Sequence, residues 1–458
     1  MKIQFLGAAG TVTGSKFYLT DENHRVMVDV GMFQGPRKLR EKNWEPLPLD
    51  PGDLSAVVLT HAHIDHTGYL PRLGRDGLNA PVHCTWGTRD LAKILLPDAA
   101  RLQEEKAKYR KRKKKTKHQP ALPLFSIVDA EQVLEKLVGH RYDTPFEPVE
   151  GWQTTFKEAG HILGSAWVDM NVGDKRIIFS GDLGRQDAPI LRDPVRPEGR
   201  CDALLLESTY GNREHPADDK LEALADIVME VASRKGTLII PAFAVERTQE
   251  ILYLLEELIR RQDIPKLPVF IDSPMAVKAT RLFGEYHEYY DEEATALVRR
   301  GEKVLSYKNL SLCESVKQSK SILNTPAPKI VISASGMATG GRILHHLKNY
   351  LPYPKNHILM VGYQSVGTRG WRLLKGDSEI KIFGEYIPVR AGVSKLEGFS
   401  GHADHNEIMN WCDGFSEPPG VTYLVHGEPD SLQAQAQSLK ERGWNVVIPE
   451  YGQQFDLW

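Results

Sequence analysis

The stretch LTHAHIDHTGYL places His61, His63, Asp65 and His66 within six residues, directly after the apolar run AVVL. Imidazole and carboxylate are the ligand types of zinc, and of manganese or iron with less preference. His61 and His63 are two apart, so they share one face while the chain remains extended. Asp65 and His66 fall in the turn that follows. Four such groups in six residues can fill half of a two-metal site. The alternative is a His-rich surface turn, which random placement after an apolar strand rarely produces.

Further polar groups stand where other apolar runs end. His161 lies in EAGHILGSAW, Asp182 in IIFSGDLGR, His402 in GFSGHADH and His426 in TYLVHGEPD. Taken singly, each fits a surface histidine or a helix-capping aspartate equally well. Taken together, they describe strands that each end by pointing a titratable residue at a loop, the usual place for a site on a layered α/β scaffold.

The elements that must position these groups follow from periodicity. Residues 1–70 read as short strands (KIQFLG, KFYLTD, HRVMVDVG, AVVLTH) separated by turns. Residues 86–109 have helical periodicity, expected to be interrupted at Pro97. After about residue 210, strands alternate with amphipathic helices, which implies a parallel α/β sheet. Short strands return from about 378. These changes divide the chain into 1–209, an inserted domain over 210–385, and 386–458.

Bulk properties exclude several classes. The 458 residues exceed one ordinary domain. With 41% hydrophobic and 26% charged residues the chain builds sizeable cores, and with a net charge of −2 it is no polyanion binder as a whole. Four cysteines in no CxxC pair fit free thiols in a reducing compartment. No signal peptide or membrane-spanning stretch is apparent, so a cytoplasmic location is expected.

HAHIDH, with Asp29 in MVDVG, His161 and Asp182, resembles the motif series of the metallo-β-lactamase fold. Glu207 in LLLESTYGNR, His402 in FSGHADH and His426 in LVHGE resemble the additional motifs of its β-CASP branch of RNA- and DNA-processing nucleases, including the cleavage and polyadenylation endonuclease. The resemblance spans the chain and extends to PAFAVERTQE, DSPMA, SASGMATGGR and GYQSVGT. It implies a four-layer αββα sandwich with an inserted parallel α/β domain. It further implies that His61, His63 and His161 bind one zinc, that Asp65, His66 and His426 bind a second, and that Asp182 bridges them. Asp29 would orient a ligating histidine, and Glu207 would hold His402 near the metals.

A two-metal site suits phosphodiester hydrolysis, because two cations neutralise the phosphate and a shared water ionises near neutral pH. Asp65 and Asp182 would aim the resulting hydroxide, and His402, tuned by Glu207, would assist the leaving oxygen. The expectation is a zinc ribonuclease acting on single-stranded RNA, endo- or exonucleolytically, and leaving 5′-phosphate and 3′-hydroxyl ends. Manganese is the second metal considered and DNA the second substrate; a homodimer is compatible with the sequence. A hydrolase of small esters, thioesters or lactams and an inactive nuclease-like scaffold are the competing readings. The inserted domain counts against the first, and the complete set of ligand positions against the second. An iron flavoprotein would want a carboxylate at His63.

For the phosphate chain, SASGMATGGR offers Ser335 and Gly336 in a Gly/Ser-rich strand-to-helix turn with backbone N–H groups available to an anion. An ordinary tight turn reads the same way. Arg247, near a helix start in PAFAVERTQE, and Thr368 and Arg369 in GYQSVGTRGWR are further candidates. The basic run at residues 106–118 reads either as a nucleic-acid patch or as a solvated charge face.

Overall fold

The computed structural model describes residues 1–112, 121–216 and 219–458. Part of the basic run, residues 113–118, lies outside the described residues. Two compact units form, one from Met1–Glu214 with His402–Trp458, the other from His215–Gly401.

The first unit is built on two sheets. One is seven-stranded, in the order Gln454–Asp456, Lys2–Phe5, Phe17–Thr20, Arg25–Val28, Ala56–Val58, Val82–Thr85 and Leu137–His140. The other is six-stranded, in the order Val446–Val447, Val421–Val425, Ala203–Glu207, Lys175–Phe179, Ala166–Val172 and Trp152–Glu158. The two-residue period of a strand sorts side chains between layers. In ALLLE, Ala203 and Leu205 enter the core shared by the two sheets, with Phe5, Phe17, Phe156, Phe179 and Tyr423. Leu204 and Leu206 instead face the helices His405–Cys412 and Pro429–Glu441, beside Trp411 and Leu439. Across the molecule, Ala56 and Val58 face the inter-sheet core while Val57 and Leu59 face Leu70, Leu96 and Phe125 on the other helical layer. Helix, sheet, sheet, helix is therefore the layer order. Each fully buried aliphatic or aromatic side chain contributes roughly 1.5–3 kcal/mol to holding it.

One helix runs unbroken over Trp86–Arg112 with Pro97 inside it, so the expected interruption does not occur. Ala92 and Leu96 before the proline and Ala100 after it are all buried in the same core. That packing outweighs the lost hydrogen bond.

The second unit carries a six-stranded parallel sheet in the order Leu310–Leu312, Val269–Ile271, Lys329–Ser333, Thr237–Pro241, His357–Val361 and Gly392–Leu396. Cores cover both of its faces. Residues 386–401, expected in the final segment, fall in this unit because Gly392–Leu396 pairs in parallel with His357–Val361. Short β runs look alike in either domain, and only pairing assigns them. Among the described residues no helix is long and apolar enough to cross a membrane.

The loop bearing Asp65 is laced from beneath by backbone bonds. Ser15 N–H donates to Asp65 O at 2.9 Å, Met32 N–H to Ile64 O at 2.9 Å and Val30 N–H to His66 O at 2.7 Å. This close approach needs a glycine, since a Cβ on Gly31 would stand 1.6 Å from Asp65 O. Gly31→Ala is expected to cost about 2 kcal/mol or more and to reduce bound metal. Thermal unfolding and metal analysis check both, and an unaltered melting temperature would refute the tight-contact argument.

Candidate metal centre

The strand Ala56–Val58 is fully buried, and the chain leaves it through Thr60 into His61, which is itself inaccessible to solvent. His63 stands at the N-terminus of a one-turn helix, Ile64–Thr67, whose first turn contributes Asp65 and whose last contributes His66. His161 follows Trp152–Glu158, Asp182 follows Lys175–Phe179, Glu207 ends Ala203–Glu207, and His426 follows Val421–Val425. Glu207 pairs in register with Val425, so Glu207 and His426 emerge from neighbouring strand ends.

These side chains converge into contiguous donor sets. His61, His63, His161 and Asp182 form one group, and Asp65, His66 and His426 another, each with ligand atoms within 4.8 Å of one another. In the first, His63 Nδ1 lies 3.2 Å from His61 Nε2 and 3.1 Å from His161 Nε2. In the second, His66 Nε2 lies 3.3 Å from His426 Nε2, and Asp65 Oδ2 lies 3.6 Å from that same nitrogen. Asp182 spans both. Its Oδ2 is 3.4 Å from His61 and 3.7 Å from His161, while its Oδ1 is 3.3 Å from both His66 Nε2 and His426 Nδ1.

Do these residues fit metal ions? Nitrogens about 2.0–2.1 Å from a tetrahedral zinc stand about 3.3 Å apart, close to the separations found. His63 Nδ1 faces two ring nitrogens but has a single N–H or lone pair to offer, so a shared cation satisfies the set better than hydrogen bonding does. Asp182 Oδ1 is buried with no hydrogen-bond donor, an oxygen that a cation would satisfy. The donor set fits a divalent metal site.

The electrostatics agree for His61, His63, Asp65 and Asp182. Burial, with help from neighbouring imidazoles, drives His61 well down and His63 to about 4, so both are neutral and able to ligate. Burial opposes ionisation of Asp65, yet the hydrogen bond and charge of His426, with His66 and His63, hold it at about 2. The histidines around Asp182 likewise overcome its burial and hold it well below the carboxylate range. His66 moves the other way, because Asp182 and Asp29 outweigh its burial.

Asp29 sits beneath the ligands. His66 Nδ1 is 2.7 Å from Asp29 Oδ2, and Asp29 Oδ1 accepts the Thr60 N–H at 2.8 Å. His402 forms a third such donor group with Asp182, Glu207 and His426, its Nδ1 3.3 Å from Glu207 Oε1 and 3.9 Å from Asp182 Oδ2. Glu207 is fixed by the Leu183 and Thr209 N–H groups. Burial opposes charge on His402, but Glu207 and Asp182 prevail and raise it to about 10.

Sequence reasoning passed over four hydroxyls. Thr60 Oγ1 donates to Asp29 Oδ2 at 2.9 Å and lies 3.1 Å from His61 Nδ1. Thr209 Oγ1 is 3.1 Å from His426 Nδ1, Ser15 Oγ is 3.4 Å from His66 Nε2, and Ser165 Oγ accepts the His161 N–H. Adjacency of Thr60 to His61 was the one signal in the chain; the others come from distant segments.

Of the expected phosphate ligands, three have other partners. Arg247 is buried, ion-paired with Glu246 at 3.2 Å and with Glu250, and held over the Phe399 ring. Arg369 donates to the carbonyls of Lys381, Ala338 and Thr339. Thr368 caps the helix Arg369–Leu374 by accepting the Trp371 N–H. Polar side chains near turns were read as ligand contacts, but the turns consume them. Ser335 and Gly336 remain in the Gly/Ser turn, where Ser335 Oγ accepts the Thr339 N–H and Gly336 O accepts from Gln364.

A buried His/Asp cluster on the strand ends of an αββα sandwich defines a metal-dependent hydrolase. Family models agree: residues 10–240 match the metallo-beta-lactamase superfamily, 248–373 the Beta-Casp domain, and 386–449 the Zn-dependent metallo-hydrolase RNA specificity domain. The chain is 38% identical to ribonuclease TTHA0252 of Thermus thermophilus over 454 residues, covering 99% of each chain. It is 30% identical to the transcription termination factor FttA of Methanosarcina mazei, covering 96% of this chain and 69% of that protein. A crystal structure of a protein of unknown function from Enterococcus faecalis shares the fold, with a TM-score of 0.55 at 14% identity and 99% coverage of both chains. The chain belongs to the β-CASP branch of the metallo-β-lactamase superfamily.

Asp29→Asn keeps the shape of the side chain and tolerates the positive φ of 57° at this position. It removes the charge that orients His66. Metal affinity should fall about 10–100-fold with little change in secondary structure, as measured by chelator competition and circular dichroism; wild-type affinity would show that Asp29 does not act on the site.

Proposed function

We propose that this protein is a zinc-dependent ribonuclease that hydrolyses phosphodiester bonds of single-stranded RNA, in RNA processing or degradation. The observation that carries the reading is Asp182, whose two carboxylate oxygens face two separate sets of imidazoles. His61, His63 and His161 would hold one zinc, Asp65, His66 and His426 a second, and Asp182 would bridge them. Bound zinc supplies positive charge for the phosphate and lowers the pKa of the attacking water.

The chain's own residues do the rest. Carboxylate oxygens of Asp65 and Asp182 accept hydrogen bonds from the water and aim it. His402 carries the proton for the leaving oxygen. Glu207 faces its Nδ1 at 3.3 Å and so fixes the ring with the other nitrogen as donor. Once that proton is delivered, the Glu207 and Asp182 carboxylates favour its replacement from solvent. Attack at phosphorus and departure of the 3′ oxygen leave 5′-phosphate and 3′-hydroxyl ends. The RNA specificity model matched at residues 386–449 and the ribonuclease relative support RNA as substrate. Ser335 and Gly336 are retained as contacts to the phosphate chain. Manganese, DNA cleavage and a homodimer are secondary alternatives.

End-labelled and internally labelled single-stranded RNA should be cut by wild-type protein, with loss of cutting on chelation and recovery on adding zinc. His402→Ala should retain both metals yet lose about 10²–10⁴ in kcat, read by metal analysis alongside turnover. Loss of zinc in that variant would make His402 a ligand. No metal-dependent cleavage of either RNA by the wild type would remove the reading.

A further inference from the structure

The segment that follows Glu207 reaches from the metal centre to the surface. Thr209 Oγ1 touches His426 Nδ1 at 3.1 Å, the Tyr210 ring meets the His402 ring edge-on at 6.2 Å, and the Arg213 guanidinium lies 5.0 Å from the Tyr210 centroid. By the sum of those last two spacings the guanidinium is within about 11 Å of the His402 ring.

This segment is rigid for local reasons. Arg213 N–H donates to Tyr210 O at 3.1 Å, and Arg213 O accepts the His405 N–H at 3.0 Å. His405 Nδ1 donates to Gly211 O at 2.8 Å, and Ser431 Oγ donates to Asn212 Oδ1 at 3.0 Å. The backbone of Arg213 is thus held, while its side chain is exposed. No carboxylate among the described residues pairs with it, and its hydrogen bond to Asn212 Oδ1 is long at 3.4 Å. Arg185, by contrast, faces Glu407 at 3.8 Å, and Arg247 and Arg369 are spent as described.

An exposed arginine without a counter-ion normally loses much rotamer freedom when it binds. Here the Tyr210 ring already orders the guanidinium by cation–π attraction while its N–H fork stays open to solvent. That is the arrangement suited to a phosphodiester, which a guanidinium can grip bidentately.

We infer that Arg213, ordered on Tyr210, is a subsite for an RNA phosphate neighbouring the one that is cleaved, holding the strand while His402 and the metal ligands act on the next bond. The subsite rests on the ribonuclease reading above. Arg213 makes no contact with the reacting atoms, so its contribution belongs to KM rather than to kcat.

The test uses the metal-loaded full chain and single-stranded RNA, comparing wild type with Arg213→Met, which keeps bulk on the Tyr210 ring, and Arg213→Lys, which keeps the charge. Arg213→Met should raise KM roughly three- to tenfold with kcat nearly unchanged, and should flatten the slope of log(kcat/KM) against log salt by about 0.7. Arg213→Lys should recover most of the slope. Replacing the neighbouring phosphate with an uncharged methylphosphonate should weaken the wild type to the level of Arg213→Met and weaken that variant no further. A cleaving wild type with Arg213→Met matching it in KM and salt slope overturns the subsite alone, as does a loss confined to kcat. A wild type that leaves RNA uncut overturns the ribonuclease reading and the subsite with it.

Discussion

Everything in the first unit depends on keeping many ionisable groups together out of water. Asp29, Asp182 and Glu207 are buried, as are His61, His66, His161 and His426. Burying one unpaired carboxylate is costly, and burying several side by side is worse unless positive charge stands among them. The geometry meets this by dividing Asp182 between two sets of imidazoles and by placing each remaining carboxylate against a histidine. Such a cluster is a poor way to stabilise a fold and a good way to hold cations.

The sandwich bears the cost because its layers are already packed. The central strands that end at the site, Ala56–Val58 and Ala203–Glu207, are buried on both faces, one side between sheets and the other under helices. His61, His161, Asp182 and His426 follow the last residues of their strands, and Glu207 is the last residue of its own, so the site is built where regular structure stops. The same logic lets a large domain be inserted without disturbing the centre. The chain leaves the first unit after Glu214 and re-enters it at His402, and near those ends the His405 N–H donates to Arg213 O at 3.0 Å.

Much of this was legible in the chain. HAHIDH announced its chemistry because ligands close in sequence must be close in space, and His161, Asp182, His402 and His426 each followed an apolar run. Strand–helix alternation from residue 210 announced a parallel sheet. Other readings misled for physical reasons. Pro97 breaks helices in isolation, but buried neighbours on both sides override it. The strand Gly392–Leu396 has the texture of either domain. Arg247 and Arg369 carry the right charge near the right turns, yet neighbouring glutamates and backbone carbonyls claim them first. Arg213 is one charge in STYGNR by sequence; what distinguishes it is the ring beneath it and, among the described residues, the lack of a carboxylate partner.

What the sequence alone determined was the set of ligand types and the strands that would carry them, since both follow from local spacing and hydrophobic period. Tertiary structure decided which groups share an ion's position, which hydroxyls steady them, and which arginines stay available. Those outcomes depend on contacts between residues as far apart as Asp182 and His426, or Tyr210 and His402. Whether a polar side chain is spent or open is set by what else is buried around it, and no local pattern carries that information.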